Sequence, residues 1–155
     1  MINFSCPKTF NDIRVMSFNI RYDTESDGVH KWDNRKDFVL KVIQDFDPDL
    51  LGIQEAMKSQ VDYLSNNLKN YYSIGVKNRQ DIDQQDSLLF VKRERYTITK
   101  DIHFWMSNNP LTPYSNDFDR SPGHPGYGPR TMSCVELVDN HNGDEVFFCN
   151  THWDG

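Results

Sequence analysis

The sequence predicts an α+β layered fold, on three observations. The first half alternates short apolar runs of strand type with two segments whose apolar residues recur at helical spacing. The second half is a series of strand-type runs with no helical period. Between the last two of these stands Asn142-Gly143, a pair favoured in hairpins because both residues tolerate positive φ. A βαβα start followed by antiparallel strands reads as helices laid against sheets.

Residues 13–20 form the first expected strand, with Ile13, Val15, Ser17 and Asn19 on one face and Arg14, Met16, Phe18 and Ile20 on the other. Both faces are largely apolar, as expected of a strand covered on two sides. A polar loop with Asp23, Ser26, Asp27 and Gly28 follows. Over 34–46, Phe38, Val39, Val42, Ile43 and Phe46 recur at helical spacing, and Pro48 ends the element. Residues 50–54 read as a short buried strand. A second helix fits 59–68, with Val61, Leu64 and Leu68 on one side. The remaining strands are expected at 71–76, 87–92, 98–105, 131–138 and 146–151. A long segment carrying Pro110, Pro113, Pro122, Pro125 and Pro129 separates two of them, and connections of that length are usually functional or disordered.

At 155 residues the chain suits one domain with a genuine core. Aromatics at 13% exclude a solvating, disordered composition. No stretch approaches the roughly 20 apolar residues of a membrane helix. The first ten residues have neither a basic lead nor an apolar run of signal length. The expectation is a soluble, cytoplasmic chain with no membrane span. A net charge of −6 argues against a module that grips nucleic acid mainly by neutralising phosphates. It leaves room for a metal-dependent enzyme, since a bound cation inverts the local field. Cys6, Cys134 and Cys149 fit no zinc spacing, and an odd count argues against a closed disulfide framework. Cys134 and Cys149 therefore read as small buried apolar residues.

Asn19 and Glu55 both stand where an expected strand runs out, the position from which a rigid frame projects side chains into a loop-lined surface. A carboxylate directly after the apolar run of 50–54 is costly to bury unpaired. A hard cation such as Mg²⁺, which takes carboxylate and amide oxygens, removes that cost. The plainer alternative is that Glu55 opens a turn and Asn19 bonds locally. His152, within Asn150-Thr151-His152-Trp153-Asp154, again follows an apolar strand; a histidine beside a carboxylate can hold a proton near neutral pH. Arg21, Arg35 and Arg130 carry guanidinium groups suited to phosphate, although a solvated or structural ion pair is the default for any one arginine. Trp32 and Trp105 read as packing residues.

The order of these segments resembles the endonuclease/exonuclease/phosphatase family, the DNase-I-like fold. The resemblance lies in Ser17-Phe18-Asn19-Ile20-Arg21-Tyr22, Trp32-Asp33-Asn34-Arg35 and Pro48-Asp49-Leu50-Leu51-Gly52-Ile53-Gln54-Glu55. It continues in Phe104-Trp105-Met106-Ser107-Asn108-Asn109-Pro110, Pro129-Arg130-Thr131 and Asn150-Thr151-His152-Trp153-Asp154. It implies a four-layer α/β/β/α sandwich, here as half of one with the C-terminal half missing. Residues 1–11 are then an N-terminal extension and 12–155 an incomplete domain. It further implies Mg²⁺ or Mn²⁺ held by Asn19 and Glu55, and His152 at the scissile phosphate with Asp154 close by. Arg21, Arg130 and Asn150 become substrate contacts. The function implied is a metal-dependent phosphoesterase, nuclease or phosphatase, acting on a phosphodiester or phosphomonoester, with RNA or DNA among the candidate substrates. The Thr-His-Trp-Asp run is similar to deadenylase-like members, which points towards RNA.

This chain departs from the family pattern in two ways. A Gly-Glu pair usual before the strand at 88–90 is replaced by Gln84, Gln85 and Asp86, which puts a substrate contact there in doubt. The Gly-Asp-x-Asn and Ser-Asp-His motifs, which carry the water-activating groups, do not occur. The expectation is thus an inactive or barely active chain, with an exposed sheet face open to self-association. The competing function is a non-catalytic protein that binds phosphate ligands.

Overall fold

The computed structural model describes residues 9, 12–78, 80–81, 83–115 and 129–153. Most of the expected extension at 1–11 lies outside that set, as do much of the proline-rich segment and Asp154.

The first sheet has the order β1 (Val15–Asn19), β2 (Leu50–Gln54), β6 (Leu88–Lys92), β4 (Tyr71–Ile74). β1 and β2 run parallel, and the other neighbours are antiparallel. The second sheet is the antiparallel series β7 (Tyr96–Trp105), β8 (Thr131–Asp139), β9 (Glu145–Thr151). Helices α1 (Trp32–Phe46) and α2 (Lys58–Asn67) pack on the far side of the first sheet. A two-stranded ladder of β3 (Ala56–Met57) and β5 (Gln84–Gln85), with a 3₁₀ turn at Glu25–His30, completes the described elements; the sequence signalled none of these three short pieces.

Alternation along β2 builds the layers. Leu51 and Ile53 face the helices with Ile43, Leu64, Leu88 and Phe90. Leu50 faces the second sheet with Leu89, Val91, Tyr96, Val135 and Leu137. The described layers are therefore helix, sheet, sheet, and β2 is buried along its whole length. No described helix is long and apolar enough to cross a membrane.

α1 starts at Trp32, whose buried ring meets Tyr63 of α2 edge-on at 5.7 Å. It stops at Asp47, which turns left-handed (φ 50°) and donates its N–H to Ile43 O before Pro48.

Two expectations are corrected. Among the described residues β1 is not covered on two sides: it is the edge of the first sheet, Met16 and Phe18 pack inward, and Val15, Ser17 and Asn19 are exposed. Nor are Cys134 and Cys149 free apolar residues. They face each other across β8 and β9 and form a disulfide. An odd total leaves two cysteines able to pair, and hairpin register places these two side by side. That hairpin turns through residues 140–144, with Gly143 at φ 80° and its N–H donated to Asp139 O.

Candidate active site

Strand direction decides which residues meet. Parallel pairing puts the ends of β1 and β2 side by side, with Asn19 opposite Gln54. Antiparallel β6 begins at that same end, two residues after Asp86. In the second sheet Met132 pairs with Thr151, so Arg130, before β8, lies beside His152, after β9. Five strand ends from two sheets thus converge on one rim.

Glu55 is the centre of the group. Its backbone is left-handed (φ 66°), a conformation uncommon outside glycine that recurs at functional sites. Asn19 Nδ2 donates to Oε1 at 2.9 Å and the Tyr22 N–H donates to Oε2 at 3.2 Å. Among the described residues the one basic side chain within 4 Å of it is His152, with Nε2 at 3.8 Å from Oε1. A half-buried carboxylate without a lysine or arginine partner is a group that a cation would stabilise.

On the other side of His152, Arg130 Nη1 donates to Nδ1 at 3.1 Å, so the neutral ring carries its proton on Nε2, the nitrogen nearer Glu55. The same Nη1 donates to Asp86 Oδ2 at 3.0 Å. Asp86 also accepts from Asn78 Nδ2 at 2.8 Å and Gln84 Nε2 at 3.0 Å, and its Oδ1 lies 3.8 Å from His152 Nδ1. Burial pushes the Asp86 carboxyl above its ordinary value, and Arg130 and His152 offset only part of that rise. Sequence reasoning assigned Asp86 no role, yet it is a carboxylate directly before the strand expected at 87–92, the mirror image of the signal that singled out Glu55 directly after one.

Asn19, Glu55, His152 and Arg130 are therefore brought together. Arg21 sits outside them, exposed, paired with Asp27 at 3.2 Å and stacked over the Tyr22 ring at 4.2 Å. Asn150 is buried between the sheets. Its Nδ2 donates to Ile53 O and Leu88 O, and its Oδ1 accepts from Gln54 Nε2 at 2.7 Å, so the amide is spent joining the layers. It lies against Gly52, where a Cβ would come within 2.7 Å of the Asn150 amide. Arg35, read above as a phosphate group's partner, gives its guanidinium to the carbonyls of Ile20, Arg21 and His30. Asp154 lies outside the described residues.

The donor set offers a divalent cation the Glu55 carboxylate and, after rotation of its amide, the Asn19 oxygen. Among the described residues no three acidic, histidine or cysteine groups converge to hold a metal by themselves.

A sequence profile of the Endonuclease/Exonuclease/phosphatase family matches residues 16–150. An endonuclease/exonuclease/phosphatase of Bacteroides vulgatus superposes with a TM-score of 0.81 at 29% identity, covering 92% of this chain and 52% of its own. A mannosyl-6-phosphatase of Bacteroides thetaiotaomicron gives 0.78 at 27% identity, with the same two coverages. An uncharacterized protein of Acanthamoeba polyphaga mimivirus is 22% identical over 152 residues, 92% of this chain and 54% of that protein. The chain spans about half the length of each of these relatives.

Proposed function

This chain belongs to the endonuclease/exonuclease/phosphatase family, and from that premise we propose that it contributes Asn19, Glu55 and His152 to a divalent-metal-dependent site hydrolysing a phosphate ester. The observation that carries the reading is Glu55, a strand-end carboxylate held by Asn19 and a backbone N–H, with no lysine or arginine partner among the described residues.

Mg²⁺ or Mn²⁺ held by Glu55 and Asn19 would polarise a phosphoryl oxygen and offset its developing charge. Tyr22 N–H and Asn19 keep the Glu55 carboxylate in one orientation. His152, its Nδ1 occupied by Arg130, offers Nε2–H to an oxygen of the phosphate. Arg130 adds positive charge beside it, and Asp86 keeps that guanidinium in place. Arg21 serves the substrate rim. Asp154 belongs to the reading by resemblance alone. Asn150 acts through the placement of Gln54 and β9.

A phosphomonoester on a small polar molecule is favoured over RNA or DNA. The relative at 27% identity is named as a mannosyl-6-phosphatase, and a net charge of −6 repels a polyanion. Mn²⁺ titration followed by electron spin resonance is expected to show saturable binding that Glu55→Gln abolishes. Equal binding by that variant rejects the assignment. Phosphate-ligand binding with no metal-dependent turnover, in the longest native protein containing this chain, would favour a non-catalytic role instead.

A further inference from the structure

Two residues of the site rim have left-handed backbones without being glycine: Arg21 (φ 58°) and Glu55 (φ 66°), on the ends of neighbouring strands. Such conformations persist only where surrounding bonds over-determine them. The bonds around Arg21 come from two side chains on different helices. Arg35 of α1 donates to the carbonyls of Ile20, Arg21 (2.7 Å) and His30 (2.9 Å), with its guanidinium 5.2 Å from the Trp32 ring. Gln60 of α2, fully buried, donates from Nε2 to the same Arg21 carbonyl at 2.9 Å. Its Oε1 accepts the N–H groups of Asp23 and Met57, each at 3.0 Å. Gln60 thereby ties the loop that follows Asn19 to the strand that follows Glu55.

Held this way, the loop aims its N–H groups at the site. The Arg21 N–H donates to Asn19 Oδ1 at 2.9 Å, which turns Asn19 Nδ2 towards Glu55 Oε1, and the Tyr22 N–H donates to Glu55 Oε2. Both oxygens of the carboxylate are therefore oriented through residues 19–22. We propose that Arg35 and Gln60 are positioning residues, which clamp this loop from opposite sides and so fix the backbone from which Asn19 and the Tyr22 N–H place Glu55 at the rim, where it would meet a divalent cation. The proposal rests on the reading of Glu55 as the cation-holding carboxylate.

The test uses the whole 155-residue chain and two variants, Arg35→Lys, which keeps the charge but cannot span three carbonyls, and Gln60→Met, which keeps the shape but loses all three bonds. Amide hydrogen exchange by NMR is read without metal, and Mn²⁺ affinity by electron spin resonance. Both variants should expose the Arg21 and Tyr22 amides to faster exchange while Leu51 and Phe90 stay protected. Mn²⁺ affinity should fall by about 10- to 100-fold, the usual cost of removing an outer partner of a metal ligand. Faster loop exchange with unchanged Mn²⁺ affinity overturns the proposal, and so does unchanged loop exchange. Where one variant also loses protection at Leu51 and Phe90, the other decides. Failure of the unsubstituted chain to bind Mn²⁺ rejects the reading of Glu55 and this proposal together, whereas normal binding with unaffected variants rejects only the proposal.

Discussion

Charge at the rim is set by single contacts. Arg21 donates from Nε and Nη2 to the two oxygens of Asp27 at 3.3 and 3.2 Å. That hydrogen bonding holds the Asp27 carboxyl below its ordinary value of 3.8. Because the folded value is the lower one, the stabilisation is present above pH 3.8 and is lost as pH falls through the depressed value. In Arg21→Ala, carboxyl-detected NMR should find Asp27 titrating near 3.8 again. A value that stays depressed would assign the effect to other groups. The pair is exposed and contributes little to stability, so its expected use is to steer the Arg21 guanidinium over Tyr22.

Among the elements, the β8–β9 hairpin has most to hold. It carries Arg130 and His152 side by side at its open end, and its register is pinned by Cys134–Cys149. Closing a separation of 15 residues is worth about 3 kcal/mol in the chain-entropy description. Reduction, or the pair Cys134→Ser and Cys149→Ser, should lower the unfolding free energy obtained from urea denaturation by an amount of that order, and the urea midpoint with it. An unchanged midpoint under reducing conditions would show that strand pairing alone sets the register. Such a bond persists in oxidising compartments and stands as two thiols in a reducing cytosol. That sets the disulfide against the cytoplasmic location expected from composition.

For the molecule as a whole, two polar assemblies join the sheets at opposite ends of β2. At the site end Asn150 reaches from β9 to Gln54 and to the carbonyls of Ile53 and Leu88. At the other end Arg95 is almost wholly buried between Asp49, directly before β2 of the first sheet, and Asp139 of the second, each at 3.0 Å. Lys92 adds Asp47 at 2.7 Å and Asp49 at 3.7 Å. Arg95→Met should cost roughly 3–5 kcal/mol, because it leaves Asp49 and Asp139 buried without that partner. Thermal unfolding followed by far-ultraviolet circular dichroism checks this, and a loss within about 0.5 kcal/mol, ordinary for a surface change, would show that the network is replaceable.

Much of this was present in the sequence by itself. Apolar spacing located both helices and seven of the strands, because burial of one face demands a period that composition displays. The buried run 50–54 matched β2 residue for residue. Asn19, Glu55, Arg130 and His152 stood out as polar groups at strand ends or beside long loops. What periodicity does not carry is which strand lies beside which. Only pairing made β1 an edge, set Cys134 opposite Cys149 and turned Asn150 into the interior. Tertiary structure likewise brought Asp86 to His152 across two sheets and spent Arg35 on carbonyls rather than on ligand. These are contacts between residues dozens of positions apart. They are decided by register and strand direction, which no local pattern encodes.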